Sequence, residues 1–375
     1  MDFYSTNSLS WDKLEYGTDA IQNLHYGLIH VGLPTMIDLS KDKLPNITNG
    51  NTPKNYEFCQ EGDIAFADAS EDTNEVAKAI EFYKLNGKDV ICGLHTIHGR
   101  DNQQKTVVGY KGYAFSSTAF HHQIRRIAQG TKIYSINSKN FSECHIGIPS
   151  KEEQKKIATL LRLIDERIST QSKIIEDLKK LKCAIIEKLY SKIQGKEYSY
   201  GQLLDVVNER NKQMEYSNIL SASQEKGMVN RDDLNLDIQF ERSNINTYKI
   251  VRAGDYVIHL RSFQGGFAFS DKQGVCSPAY TILRPNSLLE HGYLSYYFTS
   301  QRFIKSLIIV TYGIRDGRSI NVEEWLNMKV VIPSKEHQLH TLNILKSIDG
   351  KIVNEETYAT CLSNQKQYLL RQMFI

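Results

Sequence analysis

The chain has 375 residues, 41% of them apolar and 24% charged, which is enough apolar material to bury two or three cores rather than one. Its longest greasy runs, such as Leu307 to Val310, are far too short to span a bilayer, and the first thirty residues carry Asp2, Asp12, Lys13 and Glu15 with no apolar stretch, so neither export nor a membrane role is expected. The six cysteines (59, 92, 144, 183, 276, 361) include no C-x-x-C pair, so no disulfide framework or metal site is expected and a reduced cytoplasmic protein is, while a net charge of +3 falls short of the basic excess of a free-standing nucleic-acid binder.

Residues 1–148 are expected to form a first globular head. Residues 1–95 hold 7 basic and 15 acidic side chains, whereas residues 96–148 hold 7 basic and 2 acidic, so one face or end of this head is basic. Reading base edges takes polar or cationic side chains at groove-facing positions, with phosphate contacts holding them there. In the basic half the candidates are Arg100, His122, Arg125, Arg126 and Lys132. The adjacent pair His121-His122 lacks a nearby third donor and makes no metal site.

An extended run closes at Ile148-Pro149-Ser150, and a helix is predicted over 149–196. Proline ends the extended segment, Ser150 is a favourable N-cap, and Glu153 completes a capping box. Beyond the cap the apolar spacing alternates four and three through Ile157, Leu161, Ile164, Ile168, Gln171, Ile175, Leu178, Lys182, Ile185 and Leu189. This is a coiled-coil seam with two polar breaks. The segment carries 12 basic and 7 acidic side chains, which a solvated helix surface explains as well as nucleic-acid contact does.

Residues 197–332 are expected to form a second head. Gly254-Asp255-Tyr256 echoes Gly62-Asp63-Ile64, and Ser319-Ile320-Asn321 echoes Ser135-Ile136-Asn137. Arg261, Ser262 and Gln264 sit on a glycine-rich loop after a strand-like run, and Arg315 and Arg318 lie in Tyr312-Gly313-Ile314-Arg315-Asp316-Gly317-Arg318, a loop of the same character. These five are the second head's candidates for base contact.

The stretch Ile148-Pro149-Ser150-Lys151-Glu152-Glu153-Gln154 recurs 184 residues later as Ile332-Pro333-Ser334-Lys335-Glu336-His337-Gln338. A second helix is therefore predicted over 333–375, with His337 weakening its capping box. Its seam reads Thr341, Leu345, Ile348, Ile352, Glu355, Ala359, Leu362, Lys366, Leu369 and Met373, with polar breaks at the same two places. A helix of about 40 residues is roughly 60 Å long, too long for a small domain to cover, so the two should pack on each other. The intervening head gives the chain room to return, which favours an antiparallel pair. One register sets Gln171 against Lys366 and Lys182 against Glu355, polar against polar. The alternative is that both lysines snorkel out of an imperfect seam. The expected fold is mixed α/β: two globular α/β heads separated by a pair of long antiparallel coiled-coil helices, a pseudo-two-fold tandem repeat.

The run Ile148 to Asp165, of the form I-P-x-x-x-E-Q-x-K-I-A-x-x-L-x-x-I-D, resembles the central repeat of type I restriction-modification specificity subunits. In the second head, Gln224-Glu225-Lys226-Gly227, Tyr248-Lys249-Ile250-Val251, Gly254-Asp255 and Cys276-Ser277-Pro278-Ala279-Tyr280 are similar to the framework of that family's target-recognition domain. The resemblance covers the chain from about residue 55 onward. It implies two target-recognition domains, each reading half of a split site on double-stranded DNA. It further implies docking of two modification methyltransferase subunits and, in the full complex, restriction subunits that translocate and cut. S-adenosylmethionine, ATP and magnesium are expected on those partners, and no cofactor on this chain. Helices overlapping over about 30 residues span roughly 45 Å, slightly more than one DNA turn, so they would set the half-site spacing. No amino-methylating N-P-P-Y or D-P-P-Y loop, phosphate-binding G-x-x-x-x-G-K-[ST] loop or G-x-S-x-G elbow occurs, and the sole E-x-K, Glu153-Gln154-Lys155, opens a predicted helix. Catalysis is thus expected from partners. The rival reading is a two-headed coiled-coil scaffold that binds protein, which the near-neutral charge favours.

Overall fold

The computed structural model describes residues 1–223, 226–233, 242–259, 266–312 and 319–374. The chain divides into two compact units, Met1–Lys173 with Glu356–Ile375 and Ile174–Glu355. The secondary structure of both is mixed α/β.

In the first unit the main strands are, in chain order, β1 (Asp2–Tyr4), β2 (Gln22–Leu24), β3 (Met36–Asp38), β4 (Ile64–Ala67), β5 (Ala79–Lys84), β6 (Val90–Cys92) and β7 (Thr96–Arg100). A five-stranded sheet runs β1-β7-β4-β5-β3, antiparallel except for the β3/β5 pair. A second sheet pairs β2 with β6 in parallel. Strand β4 is buried throughout because both of its faces are covered: Ala65 and Ala67 join a core with Leu24, Ile37, Phe82 and Val90, while Ile64 and Phe66 join Phe115, Phe120 and Phe141. Helix α1 (Thr118–Ile127) is capped by Ser117, whose hydroxyl accepts the amide of Phe120 at 3.2 Å.

In the second unit β8 (Leu204–Val207), β9 (Lys249–Val251), β10 (Tyr256–Ile258), β11 (Phe267–Phe269), β12 (Gly274–Cys276) and β13 (Thr281–Pro285) make an antiparallel sheet β8-β13-β10-β11 and the antiparallel pair β9-β12. The main core centres on Trp325, which stacks on Tyr200 at 4.3 Å and is surrounded by Phe267, Phe298 and Phe303. Ser300 caps the short helix Gln301–Ser306 through the amide of Phe303 at 3.2 Å, as Ser117 caps α1.

The two long helices are α2 (Lys151–Ser191) and α3 (Lys335–Gln372). Each begins on its serine: Ser150 Oγ accepts the Glu153 amide at 3.3 Å and Ser334 Oγ the His337 amide at 3.4 Å. His337 therefore does not cost the second helix its N-cap bond. All ten seam positions of each helix are buried or half-buried. Within the first unit Ile157 and Leu161 share a cluster with Leu370 and Phe374, so the helix segments run antiparallel there; in the second, Ile186 and Tyr190 share a core with Leu345 and Leu342, again antiparallel. Toward the helix ends the most buried positions (Ile186, Tyr190, Leu370, Phe374) lie one residue beyond the heptad seam, the drift expected when 3.6 residues per turn meet a 3.5-residue repeat.

The register differs from the expected one. The ammonium of Lys182 reaches Asp349 at 2.5 Å, not Glu355, and that of Lys366 reaches Asp165 at 2.6 Å, not Gln171. Neither lysine snorkels to solvent: their side chains are 27% and 17% exposed. The reason is a third partner from the head. Tyr113 donates its hydroxyl to Asp165 at 2.9 Å, and Tyr296 donates to Asp349 at 2.6 Å. Each lysine also lies over its tyrosine ring, at 5.7 Å for Lys366 on Tyr113 and 5.2 Å for Lys182 on Tyr296. The same Tyr-Asp-Lys triad thus occurs once per unit and fixes head, own helix and returning helix together.

Candidate nucleic-acid interface

Helix α1 is amphipathic at helical spacing. Phe120 and Ile124 face the phenylalanine core, and His122, Arg125 and Arg126 are exposed on the other side. Arg125 is steadied by Asn74, whose side-chain oxygen accepts from its guanidinium at 2.8 Å. Beyond the helix the chain turns through Gly130, at φ 140°, where a β-carbon would collide with the Ile133 carbonyl. That turn leaves Lys132 exposed. Four of the five candidates in the first head therefore lie on one short segment, residues 122–132. Burial pushes the neighbouring His121 below the ordinary histidine range, so this ring adds no charge to the face.

Arg100 is withdrawn from the candidate set. Its guanidinium donates to both carboxylate oxygens of Asp63 (2.8–3.2 Å), to Glu57 at 2.8 Å and to the Phe58 carbonyl at 2.7 Å, and it lies 4.7 Å from the Tyr4 ring. Burial alone would raise Asp63, but hydrogen bonds from His98, Arg100 and the Gln60 amide hold it below the usual carboxylate range. The second unit repeats this staple: Arg284 meets Asp255 at 3.0 Å and Glu209 at 3.1 Å. Arg100 is consumed in holding β7 to the turn before β4.

Arg261, Ser262, Gln264, Arg315 and Arg318 lie outside the described residues. Counting from the paired caps Ser117 and Ser300, the positions of Arg125 and Arg126 are taken in the second unit by Ile308 and Ile309, which are 74% and 76% exposed. With the half-exposed Tyr312 they make an outward apolar patch just before residues 313–318. Sequence reasoning passed over them as a greasy run; the signal was their alignment with a basic pair in the first repeat.

A second omission is the glutamine of the I-P-S motif. Gln154 accepts the Val107 amide at 2.8 Å and donates to the carbonyls of Lys105 and Pro149; Gln338 accepts the Glu290 amide at 2.8 Å and donates to those of Leu288 and Pro333. One amide side chain thus ties the first turn of each helix to its own head. The fold also gathers Cys59, Cys92 and His98, three potential metal donors far apart in sequence, inside the first unit.

The two units therefore share an internal framework and differ on their outward faces. The model of the type I restriction modification DNA specificity domain matches residues 43–180. The MjaVIII type I restriction enzyme specificity subunit of Methanocaldococcus jannaschii is 26% identical, over 73% of this chain and 77% of that one, and the putative MjaX specificity subunit of the same organism is 22% identical, over 78% and 72%. The fold matches a chain from a type I restriction-modification assembly (TM-score 0.60, 15% identity, 93% of this chain and 89% of that one) and the type I restriction-modification S subunit from M. genitalium (TM-score 0.51, 14% identity, 100% and 93%). Residues 43–180 thus match the type I restriction modification DNA specificity domain, and about three quarters of the chain is similar to type I restriction enzyme specificity subunits. Among the described residues no helix is long and apolar enough to cross a membrane.

Proposed function

We infer that this chain reads a bipartite DNA target for a type I restriction-modification complex, one half-site per head, and carries no catalytic centre. The observation that supports this best is the duplication itself: Tyr-Asp-Lys triad, Arg-Asp-Glu staple and glutamine anchor recur, while Arg125-Arg126 is exchanged for Ile308-Ile309. In this reading Arg125, Arg126 and Lys132 contact phosphates and His122 approaches a base edge. The second head, with exposed isoleucines, suits apolar contact such as that to a thymine methyl group, and Arg315 and Arg318 follow a few residues later in the sequence. The five candidates outside the described residues keep their assignment as base readers.

Two modification methyltransferase subunits would dock on the duplicated helices, where Leu160, Leu163, Ile174 and Leu181 of α2 are exposed apolar side chains. Those partners would bring S-adenosylmethionine, and restriction subunits would bring ATP and magnesium, in the cytoplasm. The antiparallel overlap of α2 and α3 would set the distance between half-sites. The test is to co-express the chain with a methyltransferase subunit, measure DNA binding against salt, and sequence methylated bases in the host. Partner-dependent, salt-dependent binding and a split methylated motif are expected. A partner complex with no DNA binding would instead establish the scaffold reading.

A further inference from the structure

The side chains of Cys59, Cys92 and His98 converge between the two sheets of the first unit. Cys59 is held beside β6, its amide donating to the Val90 carbonyl at 2.8 Å; Cys92 ends β6, and His98 comes from β7. Their donor atoms all lie within 4.8 Å of one another, with the two sulfurs 3.6 Å apart. All three residues are at most 5% exposed. The His98 Nε2 lies 2.7 Å from the Asp63 carboxylate, which leaves Nδ1 as the ring nitrogen free to act, and Nδ1 is buried with no hydrogen-bond partner.

We propose that Cys59, Cys92 and His98 are the ligands of a thiophilic d10 cation, Zn²⁺ or Cu⁺, with Asp63 orienting the imidazole. Bonds of about 2.3 Å from a tetrahedral zinc to two thiolates put the sulfurs roughly 3.8 Å apart, close to the spacing found. A ligating histidine that presents its other nitrogen to a carboxylate is the usual outer arrangement of such sites, and here Arg100 balances the charge of Asp63. Binding releases the two thiol protons; the two thiolates then neutralise Zn²⁺, whereas Cu⁺ is satisfied by the three donors present.

The second unit is an internal control. At the positions matching Cys59, Cys92 and His98 it carries Val251, Cys276 and Ile282, members of one apolar cluster, beside the same arginine-aspartate staple. One sulfur is kept, as Cys276, but the fold does not require the second sulfur or the imidazole at this place.

The test uses the tag-free full chain. Purified under reducing, chelator-free conditions, it should retain about one equivalent of metal by elemental analysis, and after stripping it should rebind Zn²⁺, or Cu⁺ under anaerobic competition with a chromogenic chelator, so that the two titrations identify the cation. X-ray absorption on the unmodified chain should show two sulfur donors and one nitrogen donor, a readout independent of any variant. The double substitution Cys59→Val with His98→Ile, which copies the second unit, should lower metal content at least tenfold, and Cys183→Ser with Cys361→Ser should leave it unchanged. Failure of the stripped chain to bind either ion, equal metal in the Val/Ile variant, or absorption lacking the two-sulfur shell would overturn the proposal.

Discussion

The two Tyr-Asp-Lys triads differ in exposure, and that difference makes a quantitative prediction. Lys366 and Asp165 are 17% and 20% exposed, while Lys182 and Asp349 are 27% and 36%. Asp165→Leu strands a mostly buried ammonium and leaves the fully buried Tyr113 hydroxyl without its acceptor. The cost is about 3 kcal/mol, because removing one partner of a largely buried pair exposes the desolvation already suffered by the other. Asp349→Leu removes a pair nearer the surface and should cost about 1 kcal/mol. These figures correspond to rises of roughly 150-fold and 5-fold in the local opening constant. Hydrogen exchange read by mass spectrometry on the intact chain measures both, from peptides over 157–166 and 362–372 for the first and 182–190 and 342–350 for the second. Asp165→Leu combined with Lys366→Leu should recover most of the loss, since two leucines continue the Leu161–Leu370 packing, and adding Tyr113→Phe should recover the rest. Equal losses from the two single substitutions, or a double variant no better protected than Asp165→Leu alone, would refute the idea that these triads hold the helices in register.

The remaining predictions concern anchors, staples and the reading face. Gln338→Leu leaves the Glu290 amide and two carbonyls unsatisfied and should destabilise the second unit by about 2–4 kcal/mol, read in urea by the buried Trp325 in a Trp11→Phe background. Arg284→Met strands Asp255, which is 2% exposed, at a cost of about 3–5 kcal/mol, whereas Arg252→Ala, at a side chain 54% exposed, should stay within about 1 kcal/mol in the same melt. Arg125→Ala with Arg126→Ala should weaken binding to all duplexes alike and flatten the plot of log affinity against log salt by about 0.9 for each phosphate that the pair neutralises; an unaltered slope would mean this face does not meet the backbone. Deleting one heptad from each of α2 and α3 shortens the overlap by about 10 Å, or about three base pairs of spacer, which methylated-base sequencing would detect.

The helices were legible because their pattern is local. The I-P-S motif, the serine cap and the four-three spacing each need only neighbouring residues, and every seam position so named is shielded from solvent. The register was not legible, because its determinants lie off the seam. Asp165 and Asp349 sit one place after Ile164 and Ile348, and their acceptor oxygens matter only once a tyrosine from the head arrives. The seam lysines pair with these off-seam aspartates. Arg100 misled for a similar reason: a cation in a basic stretch reads as surface until Asp63, 37 residues earlier, is folded against it. The convergence of Cys59 with Cys92, 33 residues apart, has no sequence spacing that announces it.

Duplication within one chain separates framework from function. A polar residue that recurs with the same partners in both units is holding the fold, as Gln154 and Gln338 do on the backbone of their heads, and as Arg100 and Arg284 do on their aspartates. Residues that occupy matching places with opposite chemistry are released from that duty. Arg125-Arg126 against Ile308-Ile309 is such a pair on the outside, and Cys59 and His98 against Val251 and Ile282 is another on the inside. The outer exchange fits two heads reading unlike half-sites, since a cation and an aliphatic side chain meet different groove chemistry. The inner one cannot serve readout, because its donors are sealed from solvent. Its asymmetry therefore points to something bound within one head, and that is a matter of the first head's own assembly rather than of target choice.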